Sequence, residues 1–314
     1  MRKYAIIGTG AIGAYFAVKL TQANFDVHCL LRSDYEHVKK HGLKLVTQES
    51  EFNVTVNAYN NVIEMPICDV ILITLKTFDN NILKEIIPKI SDKNTKIVLL
   101  QNGIDIEEDI TSFVDPSKII GASTGLLVRK ISSGIFQHLG YYSVDLASYL
   151  PNEKLNVLKI TVDDIFLDFE KSGFKCVKYN SLAAMRWKKL VINIPTSGLQ
   201  VVLDSSMQGI IKNPYSYKLL CSITKEVILI AEKCGEKMPE GYYELRVKVF
   251  EDLLKLPPYY NSLKQDFDAN RKIEVDSIFG NPIKIAEARG LEMPLTKMLY
   301  LQIMYLYEKK LNEK

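Results

Sequence analysis

A chain of 314 residues, 47% of them hydrophobic, can bury large cores and is expected to divide into two domains. Its 40 Lys plus Arg against 37 Asp plus Glu leave a formal charge of +3, too mild and too evenly spread for a nucleic-acid surface. No apolar run approaches the length of a membrane-spanning helix, and Cys29, Cys68, Cys176, Cys221 and Cys234 form no Cys-x-x-Cys pair. The sequence therefore predicts reduced thiols, no membrane segment and a cytoplasmic protein.

The chain opens with Tyr4-Ala-Ile-Ile7, an apolar strand candidate that runs directly into Gly8-Thr9-Gly10-Ala11-Ile12-Gly13, and a helix is predicted over 11–23. Gly-x-Gly-x-x-Gly between a strand and a helix is the pattern of a dinucleotide-binding turn. Gly8 permits the tight reversal, Gly10 lets the backbone approach a pyrophosphate, and Gly13 lets the helix pack closely on the strand. The same glycines also suit an ordinary turn, and the surrounding βαβ pattern favours the cofactor reading. Val27–Leu31 is the second strand, and the residue after it is Arg32, where NAD-preferring sites place Asp or Glu. A guanidinium there can fork onto a 2′-phosphate, so NADPH is the expected cofactor, although a solvated surface arginine fits the position too.

Further strands are predicted at Val70–Thr74 and Ile97–Leu100, with helices near 78–90 and 105–113. This alternation predicts a parallel, doubly wound sheet of Rossmann type. Two residues stand at the carboxyl ends of these strands, where ligands bind in open α/β sheets. Lys76 can reach a phosphate as a point charge, and Asn102 offers both a donor and an acceptor. A solvated lysine and an Asn-Gly turn are the plainer alternatives. From Lys118 to Ala147 short β-like runs broken at Gly121, Gly125, Gly134 and Gly140 predict an antiparallel or mixed extension. A helix near 152–171 and a strand near Phe174–Val177 would close this domain.

After residue 180 the strand signal fades. Apolar residues at three- and four-residue spacing predict helices over 182–194, 214–234, 240–256, 261–289 and 295–311, which makes 181–314 an all-α domain following a 1–180 α/β domain. This second domain holds no histidine, which argues against a histidine acid or base there, and the four histidines of the chain have no His-x-x-x-His metal spacing. Lys189 and Asn193 are four apart and share a helix face, an arrangement that fits a solvated pair as well as a site. Pro195 is expected to kink or end this helix. The apolar surface near 214–230 and 295–307, with Tyr300, Tyr305 and Tyr307, suits either core or the face of a homodimer.

Taken in order, Gly8–Gly13, Leu31-Arg32, Thr74-Leu-Lys76, Gln101-Asn-Gly103, Trp187-Lys-Lys-Leu-Val-Ile-Asn193, Ser262-Leu-Lys-Gln-Asp266, Ile273-Glu-Val-Asp276, Phe279-Gly280 and Ala288-Arg-Gly-Leu-Glu-Met-Pro294 resemble the 2-dehydropantoate 2-reductase (ketopantoate reductase) family. The resemblance spans nearly the whole chain. It implies a Rossmann-type domain, a helical domain, and a cleft between them for NADPH and a small 2-oxo acid, ketopantoate. By the same resemblance Lys189 is the catalytic group, Glu274 supports it, Asn193 and Ser262 bind substrate, Arg32 and Lys76 meet the 2′-phosphate, and Asn102 lies near the bound substrate.

One departure concerns Ser197, which stands where many members carry a second asparagine in a substrate-binding stretch. A serine offers one hydroxyl in place of an amide, and Tyr259 also replaces an asparagine of some members. Three readings are thus open: a ketopantoate reductase serving pantothenate and coenzyme A synthesis, a reductase of another 2-oxo acid, and a non-catalytic NADP-binding sensor.

Overall fold

A computed structural model of the chain describes residues 1–150, 160–255, 258 and 260–313. Two compact units emerge, one of Met1–Gln101 with Ile106–Leu182, the other of Asn102–Asp105 with Ala183–Lys314.

The first unit contains β1 (Lys3–Ile7), α1 (Ala11–Gln22), β2 (Asp26–Leu30), α2 (Tyr35–His41), β3 (Leu43–Val46), β4 (Glu51–Val54), β5 (Asn57–Tyr59), β6 (Val70–Ile73), α3 (Leu83–Ile90), β7 (Lys96–Leu99), β8 (Ile119–Ser132), β9 (Ile135–Ser148), α4 (Val162–Lys171) and β10 (Lys175–Lys178). These strands form one sheet in the order β4-β3-β9-β8-β7-β6-β1-β2-β5, with β10 also paired to β9. The run β5-β2-β1-β6-β7-β8 is parallel throughout. Residues of β6 and β7 are buried at every position, as expected of parallel strands covered on both faces. Alternation then sorts them: Tyr4 and Ile6 join one core with Phe16 and Leu20 of α1, while Ala5 and Ile7 join the opposite core with Leu83 and Ile87 of α3.

The predicted parallel strands and the helix after the glycine turn stand within a residue of their expected places. The expected helix over 105–113 is instead a single 3₁₀ turn, Glu108–Ile110. Gly103 at φ +111° and Asp105 at φ +57° turn the chain left-handed where the helix would have begun. Thr77–Ile82 is likewise 3₁₀, and α-helix begins only at Leu83. The glycine-broken runs of 118–147 prove to be two 14-residue strands. Gly121 and Gly125 lie within β8, and bulges absorb the irregularity. Of the helix expected near 152–171, residues 152–159 lie outside the described residues, and the rest is α4, opened by a capping box at Thr161 and Asp164.

The second unit holds α5 (Leu182–Val202), α6 (Met207–Lys212), α7 (Pro214–Lys233), α8 (Tyr242–Asp252), α9 (Ser262–Asp268), a π-helical turn (Asp276–Gly280), α10 (Asn281–Glu287) and α11 (Pro294–Asn312). Pro195 does not end α5, contrary to expectation. The proline removes one backbone bond, but every residue from Ile194 to Val201 is buried, and this burial outweighs a local cost of about 3 kcal/mol. The Thr196 hydroxyl bonds the Ile192 carbonyl one turn back at 2.7 Å.

The helix expected over 261–289 is broken. Asn270 takes a left-handed φ of +55°, and the amides of Asn270 and Arg271 bond the carbonyls of Phe267 and Asp266 at 3.1 and 2.9 Å, a Schellman closure with asparagine in the glycine position. Helical structure resumes only at the π turn. The core of this unit gathers Trp187, Leu190 and Ile194 of α5, Leu220, Ile223 and Val227 of α7, and Leu299 and Ile303 of α11. Of the three tyrosines noted on α11, Tyr300 and Tyr307 pack against this core and Tyr305 is exposed.

Candidate active site

In the first unit the glycine turn is shaped by what stands around each Cα. Gly8 has φ +98°, and a Cβ there would lie 2.6 Å from the Leu75 amide nitrogen. At Gly13 it would lie 2.5 Å from the Gly8 carbonyl oxygen and 2.6 Å from Thr74 Oγ1. Both positions exclude any side chain. Thr74, at the end of β6, donates its hydroxyl to the Gly8 carbonyl at 2.6 Å and so fixes the turn. Gly10 differs, because its nearest neighbour would be 3.9 Å away. The protein leaves open space there.

The turn leads into α1, whose first turn has no acidic residue and no side-chain cap. Its leading amides and the positive end of its dipole therefore suit an anion. Thr9 bonds the Leu30 carbonyl at 3.2 Å, and Ala11 and Ile12 pack on the core beneath. Burial pushes the neighbouring Cys29 thiol up to about 12, against a hydrogen bond from Thr9, so Cys29 is a packed thiol.

Arg32 follows β2 with its side chain 82% exposed, and its Nη2 lies 3.9 Å from Asp79 Oδ2. An exposed contact of that length is easily exchanged for a better anion. Lys76 precedes the 3₁₀ turn that carries Asp79, and it interacts within the protein. Sequence reasoning missed a relay between the ends of β6 and β7. Buried Gln101 donates to Asn80 at 2.6 Å, and Asn80 donates to Asp109 at 2.8 Å. Nothing in the spacing of these three residues announces it.

Asn102 begins the short segment that belongs to the second unit. The amide of Ile104 bonds the Ser277 carbonyl at 3.1 Å, Asn281 Nδ2 bonds the Ile104 carbonyl at 2.8 Å, and a Cβ on Gly103 would strike Ser277 at 2.5 Å. The glycine of Gln101-Asn-Gly is thus required by close packing as well as by its φ of +111°. The docking partner Ser277 lies three residues after Glu274, which is 5% exposed and interacts within the protein. π turns are frequent at functional sites.

On α5, Lys189, Asn193 and Ser197 recur at four-residue spacing and share a face. Lys189 is half-buried and interacts within the protein, and Ser197 is buried. The chain before α9 is fastened to this face by two bonds, Asn261 Nδ2 to Ser197 Oγ at 2.9 Å and the Asn261 amide to Gln200 Oε1 at 2.8 Å. Asn261 also caps α9 by accepting from the Lys264 amide at 3.1 Å, leaving exposed Ser262 as the first residue of the helix. Asn261 and Gln200 were missed at the sequence level, although an asparagine before Ser-Leu-Lys is a readable N-cap signal. Tyr259 lies outside the described residues.

The family model described as ketopantoate reductase PanE/ApbA matches residues 4–150, and the model of its C-terminal part matches residues 181–305. A 2-dehydropantoate 2-reductase of Nostoc sp. is 36% identical over 306 residues, covering 97% of this chain and 95% of its own. Among solved structures, 2-dehydropantoate 2-reductase from Geobacter metallireducens GS-15 superposes with a TM-score of 0.89 at 31% identity, covering 96% of this chain and 99% of its own. D-mandelate dehydrogenase, solved with NADH and anilino(oxo)acetate, has the same fold, with a TM-score of 0.86 at 21% identity and coverage of 98% and 99%.

Proposed function

The chain belongs to the ketopantoate reductase family, and we propose that it reduces 2-dehydropantoate to pantoate with NADPH, in the cytoplasm, as a step toward pantothenate and coenzyme A. Carrying the substrate half of this reading is the polar face of α5, where Lys189, Asn193 and Ser197 stand in line and Asn261, the cap just before Ser262, is hydrogen-bonded to it. The open Cα of Gly10 beside the uncapped start of α1 supports the cofactor half, since that surface fits a pyrophosphate.

When bound, the dihydronicotinamide supplies a hydride to C2 of the oxo acid. Negative charge builds on the carbonyl oxygen, and the Lys189 ammonium donates first a hydrogen bond and then the proton to it. Glu274 orients the Lys189 ammonium as its charged partner. Ser262 holds the substrate carboxylate, and Asn193 and Asn102 fix the orientation of the acid. Arg32 and Lys76 bind the 2′-phosphate, the first by a forked contact and the second as a point charge.

Loss of the nicotinamide absorbance on mixing purified protein, NADPH and ketopantoate tests the reading, with NADH and other 2-oxo acids as controls. Oxidation specific to NADPH and ketopantoate is expected, and Arg32→Ala raises the KM for NADPH about ten- to hundredfold while that for NADH stays put. Tight NADPH binding without ketopantoate turnover overturns the substrate. Equal use of NADH and NADPH by the unaltered protein overturns the roles of Arg32 and Lys76.

A further inference from the structure

The polar face of α5 ends at Ser197, and what meets it there is a side-chain amide from another helix. Asn261 is half-buried and makes three bonds: its Oδ1 accepts from the Lys264 amide, its own amide donates to Gln200, and one hydrogen of Nδ2 goes to Ser197. The second hydrogen of Nδ2 has no acceptor among the described residues, nor does the hydroxyl hydrogen of Ser197. Two donors thus lie at one end of the stripe, next to Ser262 and two turns along α5 from Lys189.

The amide cannot swing freely, because it is held at both ends. The cap fixes Oδ1, the Ser197 oxygen fixes Nδ2, and the backbone is tied to Gln200, whose side chain is fully buried. A donor held in this way is preorganised for an oxygen acceptor and loses little freedom when one arrives. Ser197, in turn, has its oxygen engaged by Asn261, so it positions the amide.

We propose that Asn261 is a specificity-determining residue of this enzyme: its free Nδ2 hydrogen, aimed by Ser197, donates to the hydroxyl at the far end of the oxo acid. The inference rests on the reading of the chain as a ketopantoate reductase, whose substrate carries a hydroxyl on C4. It assigns to the α9 cap the amide that a serine at position 197 does not provide, and it makes a hydroxylated, branched 2-oxo acid the preferred substrate class.

The test compares ketopantoate with 3,3-dimethyl-2-oxobutanoate, the same skeleton without the C4 hydroxyl. The unaltered enzyme favours ketopantoate in kcat/KM by about tenfold or more, the value of one hydrogen bond made in a partly buried site. Asn261→Ser retains a capping oxygen for α9 but removes the amide. It lowers kcat/KM for ketopantoate about tenfold, mainly through KM, and affects the deoxy analogue far less, so the preference collapses. Ser197→Ala, which unties the amide without removing it, moves the ratio in the same direction by a smaller factor.

Equal losses on both substrates in both variants would mean that Asn261 serves the cap alone, and this overturns the proposal. An unaltered enzyme that prefers the deoxy analogue, or reduces neither acid, breaks the functional reading itself. An unaltered enzyme that prefers ketopantoate while Asn261→Ser keeps the ratio breaks only the inference.

Discussion

In the first unit, the residues proposed to meet the cofactor act largely through what they lack. Gly8 and Gly13 have no room for a Cβ, Gly10 leaves its own space open, and α1 begins without a cap. In the second unit, side chains are presented: Lys189 and Asn193 from α5, Asn261 and Ser262 from the start of α9, and Glu274 ahead of a π turn. A main-chain site is set by backbone geometry and tolerates few changes anywhere in it. A side-chain site can alter one contact while the helices beneath it stay in place, as the exchange of duties proposed for Ser197 and Asn261 would do.

The sharpest way to separate the two is Lys189→Ala. It should lower kcat by about 10²–10⁴, the usual worth of a general acid, and leave the Kd for NADPH unchanged in a fluorescence titration. A comparable weakening of NADPH binding would contradict the division of labour between the units.

Within the first unit, two glycines three residues apart should respond in different ways. Gly13→Val forces a side chain against the Gly8 carbonyl and Thr74 Oγ1, and should destabilise the protein by roughly 3 kcal/mol in a denaturant melt, with or without cofactor. Gly10→Ala meets nothing closer than 3.9 Å and has φ −81°, so its melt in the absence of cofactor should match that of the unaltered protein. Only NADPH affinity should fall, by about tenfold, because the methyl occupies space proposed for the pyrophosphate. A Gly10→Ala protein that binds NADPH normally would remove the cofactor from that space.

The same contrast explains what the sequence disclosed. Glycine spacing encodes backbone geometry directly, so the turn at 8–13 and the parallel strands around it were readable from residue types and period alone. The face of α5 was readable as a helix face, yet Lys189 and Asn193 at that spacing fit a solvated pair equally well, and family resemblance alone gave them roles. The Asn261–Ser197 bond joins residues 64 apart in sequence, and no local period records such a meeting. The errors share a cause as well. Pro195 and the 261–289 stretch were judged on local propensity, whereas burial carried one helix through a proline and a left-handed asparagine ended the other.

Among the described residues each unit also buries one lysine, and the two should answer pH with opposite signs. Lys96 at the start of β7 donates to the Ser117 carbonyl at 2.8 Å. Burial pushes its pKa down from 10.5 to about 8 despite the pull of Asp115. Lys264 on α9 is as deeply buried, but it pairs with Asp204 at 2.7 Å and with Asp268. Burial lowers its pKa, and the two carboxylates more than reverse this, holding it above 10.5. Between about 8 and 10.5 the unfolded chain holds a proton on Lys96 that the folded chain has released, so this residue makes stability rise with pH across that window. Lys264 contributes fully below 10.5, and its contribution is lost only as pH climbs through the raised folded value. Lys96→Met should therefore stabilise the protein at pH 7 by about 2 kcal/mol, the cost of burying the charge less one hydrogen bond, with the gain shrinking toward pH 10.5. Lys264→Met should destabilise it at pH 7. Urea melts at the two pH values decide this, and a Lys96→Met protein less stable than the parent at pH 7 would mean that the Ser117 contact outweighs the buried charge.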